Sequence, residues 1–293
     1  MIRKGFYTLL LVIVTGIILP ANAQPGLDTT WRRGGNIGIN LNQVSLSNWA
    51  AGGDNAVGFN FLFNYFANYK KARHLWNNQL ELDYGLNKTK SDGNKKTNDK
   101  IYLSSLYGYE LRKNLYLSGL LTFQTQFAKG YDYSTDPRTY ISRFMSPGYL
   151  LVGGGLTWTP KPWFTATFTP ATWRGTFVGS KILSDQGQFG VTPGKHFRSE
   201  FGANLQMEAR YEFMKNMTIL SRLSFYSNYL KDPQNIDINW DVQLNMAINK
   251  WFACNITTNL IYDNDTKILQ KDGSKGPRVQ FKEALGVGFQ VTF

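Results

Sequence analysis

Residues 236–249 alternate strictly: Ile236, Ile238, Trp240, Val242, Leu244, Met246 and Ile248 fall on one face, with Asp237, Asn239, Asp241, Gln243, Asn245 and Asn249 on the other. A period of two is the signature of a β-strand with one apolar and one polar face. The pattern recurs. Val57, Phe59, Phe61, Phe63 and Tyr65 alternate with Gly58, Asn60 and Asn64; Trp76, Leu80, Leu82, Tyr84 and Leu86 with Asn77, Gln79, Glu81 and Asp83; Leu205, Met207, Ala209, Tyr211 and Phe213 with Gln206, Glu208, Arg210 and Glu212. Further segments begin near Asn36, Lys100, Leu115, Tyr149, Trp163, Met217, Trp251 and Gln280. About twelve strands of roughly ten residues are expected, the length that a tilted strand needs to cross a bilayer. Soluble strands run closer to five or six residues.

The connections sort into two kinds. Short basic ones stand at 70–73, 112–114, 160–162, 215–216 and 249–250, and long polar ones at 89–98, 128–148, 171–199, 229–235 and 263–279. Short and long alternate, as do periplasmic turns and outward loops of a transmembrane barrel. The fold class expected is all-β: an antiparallel up-and-down barrel in the outer membrane of a Gram-negative cell.

The last strand carries Leu285, Val287, Phe289, Val291 and Phe293 on one face. A terminal aromatic on such a strand resembles the signal that barrel-assembly machinery reads. Closure requires it to pair with the first strand, at 36–46, since an open edge in lipid strands its backbone polar groups. Trp76, Trp158, Trp163 and Trp251 stand beside the short turns, where amphipathic rings form an interface girdle.

At the other end, Arg3 and Lys4 precede an apolar run from Phe6 to Leu19 and an Ala21-Asn22-Ala23 site. This reads as a signal peptide over 1–23, followed by a short periplasmic segment at 24–35 and the barrel at 36–293. Without Arg3 and Lys4 the formal charge of +12 becomes +10. In a secreted chain that excess suits outer-membrane lipids, lipopolysaccharide included, and argues against nucleic acid.

Four stretches carry a resemblance: QVSLSNWAAGG at 43–53, QGQFGVTPGK at 186–195, PQNIDINW at 233–240 and GPRVQFKE at 276–283. Together they make the chain similar to uncharacterised outer-membrane barrels of Bacteroidota-type bacteria, a domain of unknown function. The resemblance implies a barrel in the outer membrane and brings no catalytic residues.

Chemistry is thinly represented. Cys254 is the only cysteine and His74 and His196 the only histidines, which leaves no basis for a transition-metal site or a cofactor. His196, Ser199 and Glu200 form the one conceivable nucleophilic trio, with no spacing that orients it. His74 sits at a basic turn. Asp263, Asn264, Asp265 and Asp272-Gly273 fall short of a spaced Ca²⁺ ligand set and read as a solvated loop. Gly153-Gly154-Gly155 lies within a strand, where it permits close approach.

The inner wall is expected to carry Glu81, Asp83, Glu208, Arg210, Glu212, Arg222, Asp237 and Asp241. Buried charges must pair, so these are read as a network that fills the lumen. The function expected is a non-enzymatic structural, binding or accessory role, with an envelope protein as partner. The alternatives are a narrow small-solute channel and, more remotely, a lipid-modifying enzyme using His196 and Ser199.

Overall fold

The computed structural model describes residues 30–44, 56–89, 93–133, 137–264, 267–269 and 274–293. The signal-peptide segment, Trp49 with its glycines, and Asp265, Asp272 and Gly273 lie outside the described residues.

Twelve of the described strands close into an antiparallel barrel. In chain order these are β1 (Trp31–Val44), β2 (Ala56–Lys71), β3 (His74–Thr89), β4 (Gly93–Arg112), β5 (Leu115–Thr125), β8 (Gly148–Lys161) and β9 (Phe164–Phe177). There follow β10 (Phe197–Met214), β11 (Met217–Asn228), β12 (Ile236–Ala247), β13 (Phe252–Tyr262) and β16 (Gln280–Thr292). Each pairs with its chain neighbour in the barrel, and β16 returns to β1. Two small hairpins, β6 (Gly130–Asp132) with β7 (Thr139–Ser142) and β14 (Lys267–Leu269) with β15 (Lys275–Pro277), stand on the outward loops.

The polarity is inverted relative to a soluble protein. Phe59, Leu103, Leu117, Val152, Phe168, Phe201, Trp240, Leu285 and Phe289 are exposed on the outer face. Glu81, Asn40, Thr157, Thr172, Glu200 and Arg222 are buried inside. Only lipid accommodates that arrangement, because a closed barrel satisfies every backbone group and turns its apolar residues outward. The chain is a β-barrel of the outer membrane.

Sequence and structure differ at the boundaries. The first strand begins at Trp31 rather than Asn36, so residues 31–35 belong to the barrel. The long loop expected at 89–98 is largely strand: β3 runs to Thr89 and β4 starts at Gly93, paired Thr89 to Gly93. Residues 171–177, assigned to a loop, complete β9. The remainder of that loop holds a single-turn helix, α1 (Lys181–Asp185), and a 3₁₀ turn at Gln188–Gly190, neither of which the sequence signals.

Closure is carried by the chain end. Gly35 N–H donates to Phe293 O at 2.8 Å and Phe293 N–H to Gly35 O at 3.0 Å. The Phe293 ring stacks on Phe63 at 6.5 Å. Within the glycine triplet the requirements diverge. A Cβ on Gly155 would stand 2.0 Å from Phe168 O, at a bulge against β9, whereas one on Gly154 meets nothing within 4 Å. Gly155→Val should therefore abolish the compact, SDS-resistant species seen when an unheated barrel is run on a gel, and Gly154→Val should retain it.

Candidate functional site

Lumen-facing side chains are the alternate residues of each strand, and the network they form has two levels. At mid-height the Arg222 guanidinium on β11 reaches across to β3. Its Nη2 donates to Glu81 Oε1 at 3.0 Å and Gln79 Oε1 at 2.9 Å, and its Nε to Glu208 Oε2 at 3.2 Å. Lys100 Nζ donates to Glu81 Oε2 at 3.0 Å. The Tyr102 ring lies under both cations, 4.9 Å from the Arg222 guanidinium and 5.1 Å from Lys100 Nζ.

In the ring of twelve, β3 and β11 stand six places apart, on opposite walls. The Arg222–Glu81 bond is therefore a crossbar over the whole lumen. Both partners are buried, Glu81 at 3% and Arg222 at 6% exposure. Burying two charges is costly and is repaid only by tight geometry and additional hydrogen bonds. Here Gln79, Lys100 and Glu208 supply those bonds.

The crossbar separates two unlike halves. On the side of β4, β5, β8, β9 and β10 the lumen is packed with Tyr102, Leu106, Tyr116, Leu120, Thr157, Thr169, Thr172 and Asn204, all buried. Thr157 and Thr167 share a 3.0 Å hydrogen bond between hydroxyls, and Thr172 donates to Thr169 O at 2.6 Å. On the side of β1, β2, β12, β13 and β16 the wall carries carboxamides: Asn36, Asn64, Gln243, Asn245, Asn255 and Gln290. That half is hollow. A cavity of about 240 Å³ runs beside the crossbar and shares Asn36, Asn64, Gln243, Asn245 and Gln290 with a second of about 320 Å³ that reaches Arg33 and Phe293 at the periplasmic rim.

Toward the outside, Arg174 on β9 binds Glu200 through Nε at 3.0 Å and Nη2 at 2.8 Å, and Asp237 on β12 through Nη1 at 2.8 Å. Its guanidinium stacks 3.9 Å from the Tyr226 ring centroid. Above the packed half the outward loops form a cap. Val178, Leu183 and Val191 make its small buried core. Gly179 N–H donates to Met145 O at 2.7 Å and Ser180 N–H to Ser146 Oγ at 2.8 Å, which joins the two loops. Asp99 accepts from Phe127 N–H at 2.6 Å and Ala128 N–H at 3.0 Å, anchoring one of them to β4.

Of the eight charges expected inside, Glu81, Glu208 and Arg222 meet in the crossbar, and Asp237 in the outer cluster with Arg174. Asp241 accepts from Asn259 Nδ2 at 2.9 Å and, with Asp83, lines the mid-height cavity. Arg210 and Glu212 stand apart from the crossbar: Arg210 is exposed but faces inward and lines the cavity at the periplasmic rim, and Glu212, beside the turn, accepts from Asn216 N–H at 3.1 Å. Close to the turns the lumen is open, so an inward side chain there is exposed. Lys100, Gln79 and Arg174 were missed. Arg174 was hidden by ending β9 too early, although Thr172, Arg174 and Thr176 continue its inward set.

Trp76, Trp158, Trp163 and Trp251 are all exposed beside the short turns. Trp31, which the sequence reading placed before the barrel, packs 5.7 Å from Trp76. His74 Nδ1 is 2.7 Å from Tyr107 Oη. The conceivable catalytic trio is dispersed. His196 Nδ1 lies 2.6 Å from Val178 O, Ser199 Oγ accepts from the Trp173 indole N–H at 2.8 Å, and Glu200, its strand neighbour, points to the opposite face to bind Arg174.

Two family models match. Residues 41–131 match one described as "Protein of unknown function (DUF3078)" and residues 184–273 one described as "Protein of unknown function, DUF481". Both are domains of unknown function, as the resemblance in the sequence implied. No curated protein matches the chain significantly. Among solved structures, the COG4313 outer membrane channel from Pseudomonas putida F1 aligns at 10% identity and TM-score 0.40, over 94% of this chain and 100% of that one. The translocator domain of the autotransporter NalP from Neisseria meningitidis aligns at 9% and 0.38, over 98% and 95%. An anion-selective porin from Comamonas acidovorans aligns at 9% and 0.32, over 90% and 99%.

Removing one partner of a buried pair leaves the other charge stranded, at a cost of about 3–5 kcal/mol. Arg222→Ala should lower the urea midpoint of the refolded barrel accordingly. Arg222→Met combined with Glu81→Gln should recover much of the loss.

Proposed function

We propose that this barrel is a non-enzymatic, narrow conduit for small polar solutes, confined to the carboxamide-lined half of its lumen. The observation that carries this reading is the pair of adjoining cavities running from the periplasmic rim past the Arg222–Glu81 crossbar. Asparagine and glutamine offer donors and acceptors alike, and charges of both signs punctuate the path: Asp83, Asp241, Lys100 and Lys282 at mid-height, Arg33 and Arg210 at the rim. The dispersed His196, Ser199 and Glu200 support the absence of catalysis, since a nucleophile needs its base within hydrogen-bond reach. Outer-membrane lipids, lipopolysaccharide among them, would cover the apolar belt, and barrel-assembly machinery would engage β16 during biogenesis.

A second reading draws on the cap. Ile141, Phe144 and Ile182 are exposed on loops pinned by the Met145–Gly179 and Asp99 bonds. A rigid surface with exposed apolar residues suits an envelope protein partner.

The conduit is tested by glycerol-driven swelling of liposomes and by planar-bilayer recording of the full mature protein. Wild type should pass glycerol and give small conductance steps. Glu81→Ala with Arg222→Ala should enlarge both. Swelling no faster than protein-free liposomes, for wild type and variant alike, would overturn the conduit.

A further inference from the structure

The wall of this barrel is not uniformly sealed. β1 pairs with β2 along its entire length, from Trp31–Tyr69 to Val44–Ala56, and β16 pairs with β13 from Phe289–Phe252 up to Ile261–Gln280. Between β1 and β16 the ladder stops at Asn40–Gly288. Above that point, residues 41–44 and 280–287 face each other with no ladder pairing among the described residues. Backbone groups without a ladder partner need another one, from water, a head group or a bound molecule.

A cavity of about 370 Å³ opens at this point. It touches inward residues, Asn40, Asn87 and Lys282, and also outward ones, Leu41, Phe59 and Leu285. Alternate residues of a strand point to opposite faces, so a single cavity meets both sets only where the wall is interrupted. It shares Asn98, Asn255, Thr257 and Lys282 with the mid-height cavity. The gap therefore joins the polar half of the lumen to the apolar exterior.

Its polar side has a definite demand. Asn40 is 6% exposed, and its Oδ1 has no hydrogen-bond partner among the described residues; Asn87 Oδ1 shares that condition. The Lys282 ammonium is already engaged by Asn98 Oδ1 and Thr97 O. What is lacking is donors, which an anionic head group would not bring and a hydroxylated one would. Gly286 and Gly288 leave the space clear: a Cβ on Gly286 would stand 2.5 Å from Asn40 Nδ2.

The height of the gap names the source of the ligand. Asn40 lies nine residues along β1 from Trp31, which packs against Trp76 in the periplasmic aromatic belt. At about 3.3 Å per residue and a tilt of 35–45°, that is roughly 20–25 Å along the membrane normal, close to the full height of the apolar band. Above that level the outward set of β16 admits an acid, Glu283, between Leu285 and Phe281. An acid is tolerated on the lipid face only near the interface.

We propose that the upper β1–β16 seam is a lateral site, and an exit between outer leaflet and lumen, for a single-chain amphiphile with a neutral, hydroxyl-bearing head group. The head sits against Asn40 and Asn87 and the chain leaves over Leu41, Phe59 and Leu285. The proposal rests on the conduit reading for the passage behind the seam, and the two are separable by experiment.

Mature protein in liposomes would be photolabelled with a monoacylglycerol carrying a diazirine in its acyl chain, and the labelled peptides mapped. Label should concentrate on peptides containing Leu41, Phe59 and Leu285. Leu41→Cys with Val287→Cys continues the register above Asn40–Gly288; Cys254→Ala is added because Cys254 pairs with Val287. Oxidation should reduce seam labelling to the level of the remaining belt, and reduction should restore it. Gly286→Leu should produce the same loss without a cross-link. Label spread evenly around the belt, or unaffected by both closures, would overturn the site. Glycerol swelling of the same vesicles reads the conduit: seam labelling without swelling sinks the conduit alone, and swelling with even labelling sinks the seam alone.

Discussion

A bilayer core offers no hydrogen-bond partner to a peptide group, and the rest of this structure follows from that constraint. A sheet placed in lipid has to close on itself, and closing it leaves an interior that must be filled or hydrated. The chain closes through its last residue, with Phe293 and Gly35 exchanging both backbone bonds. The apolar period-two pattern is the same constraint seen from outside: each outward side chain meets lipid, and each inward one meets another strand's side chain or water.

The interior is resolved unequally. Arg222 and Glu81 join opposite walls, and on one side of them Tyr102, Leu106 and the threonines of β8 and β9 are buried against one another. The side chains on the other side are too short to fill what remains, and they are carboxamides, which tolerate a wet wall. The outward loops follow this division: those from β5 to β8 and from β9 to β10 fold into a cap over the packed half. One buried ion pair thus sorts the barrel into a rigid half and a permeable half, and the weak β1–β16 seam lies in the second.

Much of the fold was legible in the sequence because it is local. Alternation along 236–249, the basic short turns and the terminal Leu285–Phe293 set each depend on a single strand. The features that were not legible depend on partners distant in the chain. Arg222 and Glu81 are 141 positions apart, and nothing in either strand shows that they face each other across the lumen. Arg174 was lost because Pro170 and the adjoining bulge interrupt the alternation of β9. Arg210 and Glu212 stay outside the buried network because inward orientation does not imply burial close to a turn; Arg210 lines the open periplasmic end instead. The short pairing of β1 with β16 is invisible for a simpler reason: both strands are long, and only their register shows how little of that length is shared.

The central claim, a lumen dry on one side of the crossbar and wet on the other, is tested most directly by thiol accessibility. In a Cys254→Ala background, single cysteines at Asn245 and Thr257 report on the hollow half, and at Thr157 and Thr172 on the packed half. A small, charged, membrane-impermeant methanethiosulfonate reagent should modify the first two in the folded barrel and leave the second two unreacted. Equal modification of all four, or of none, would contradict the account.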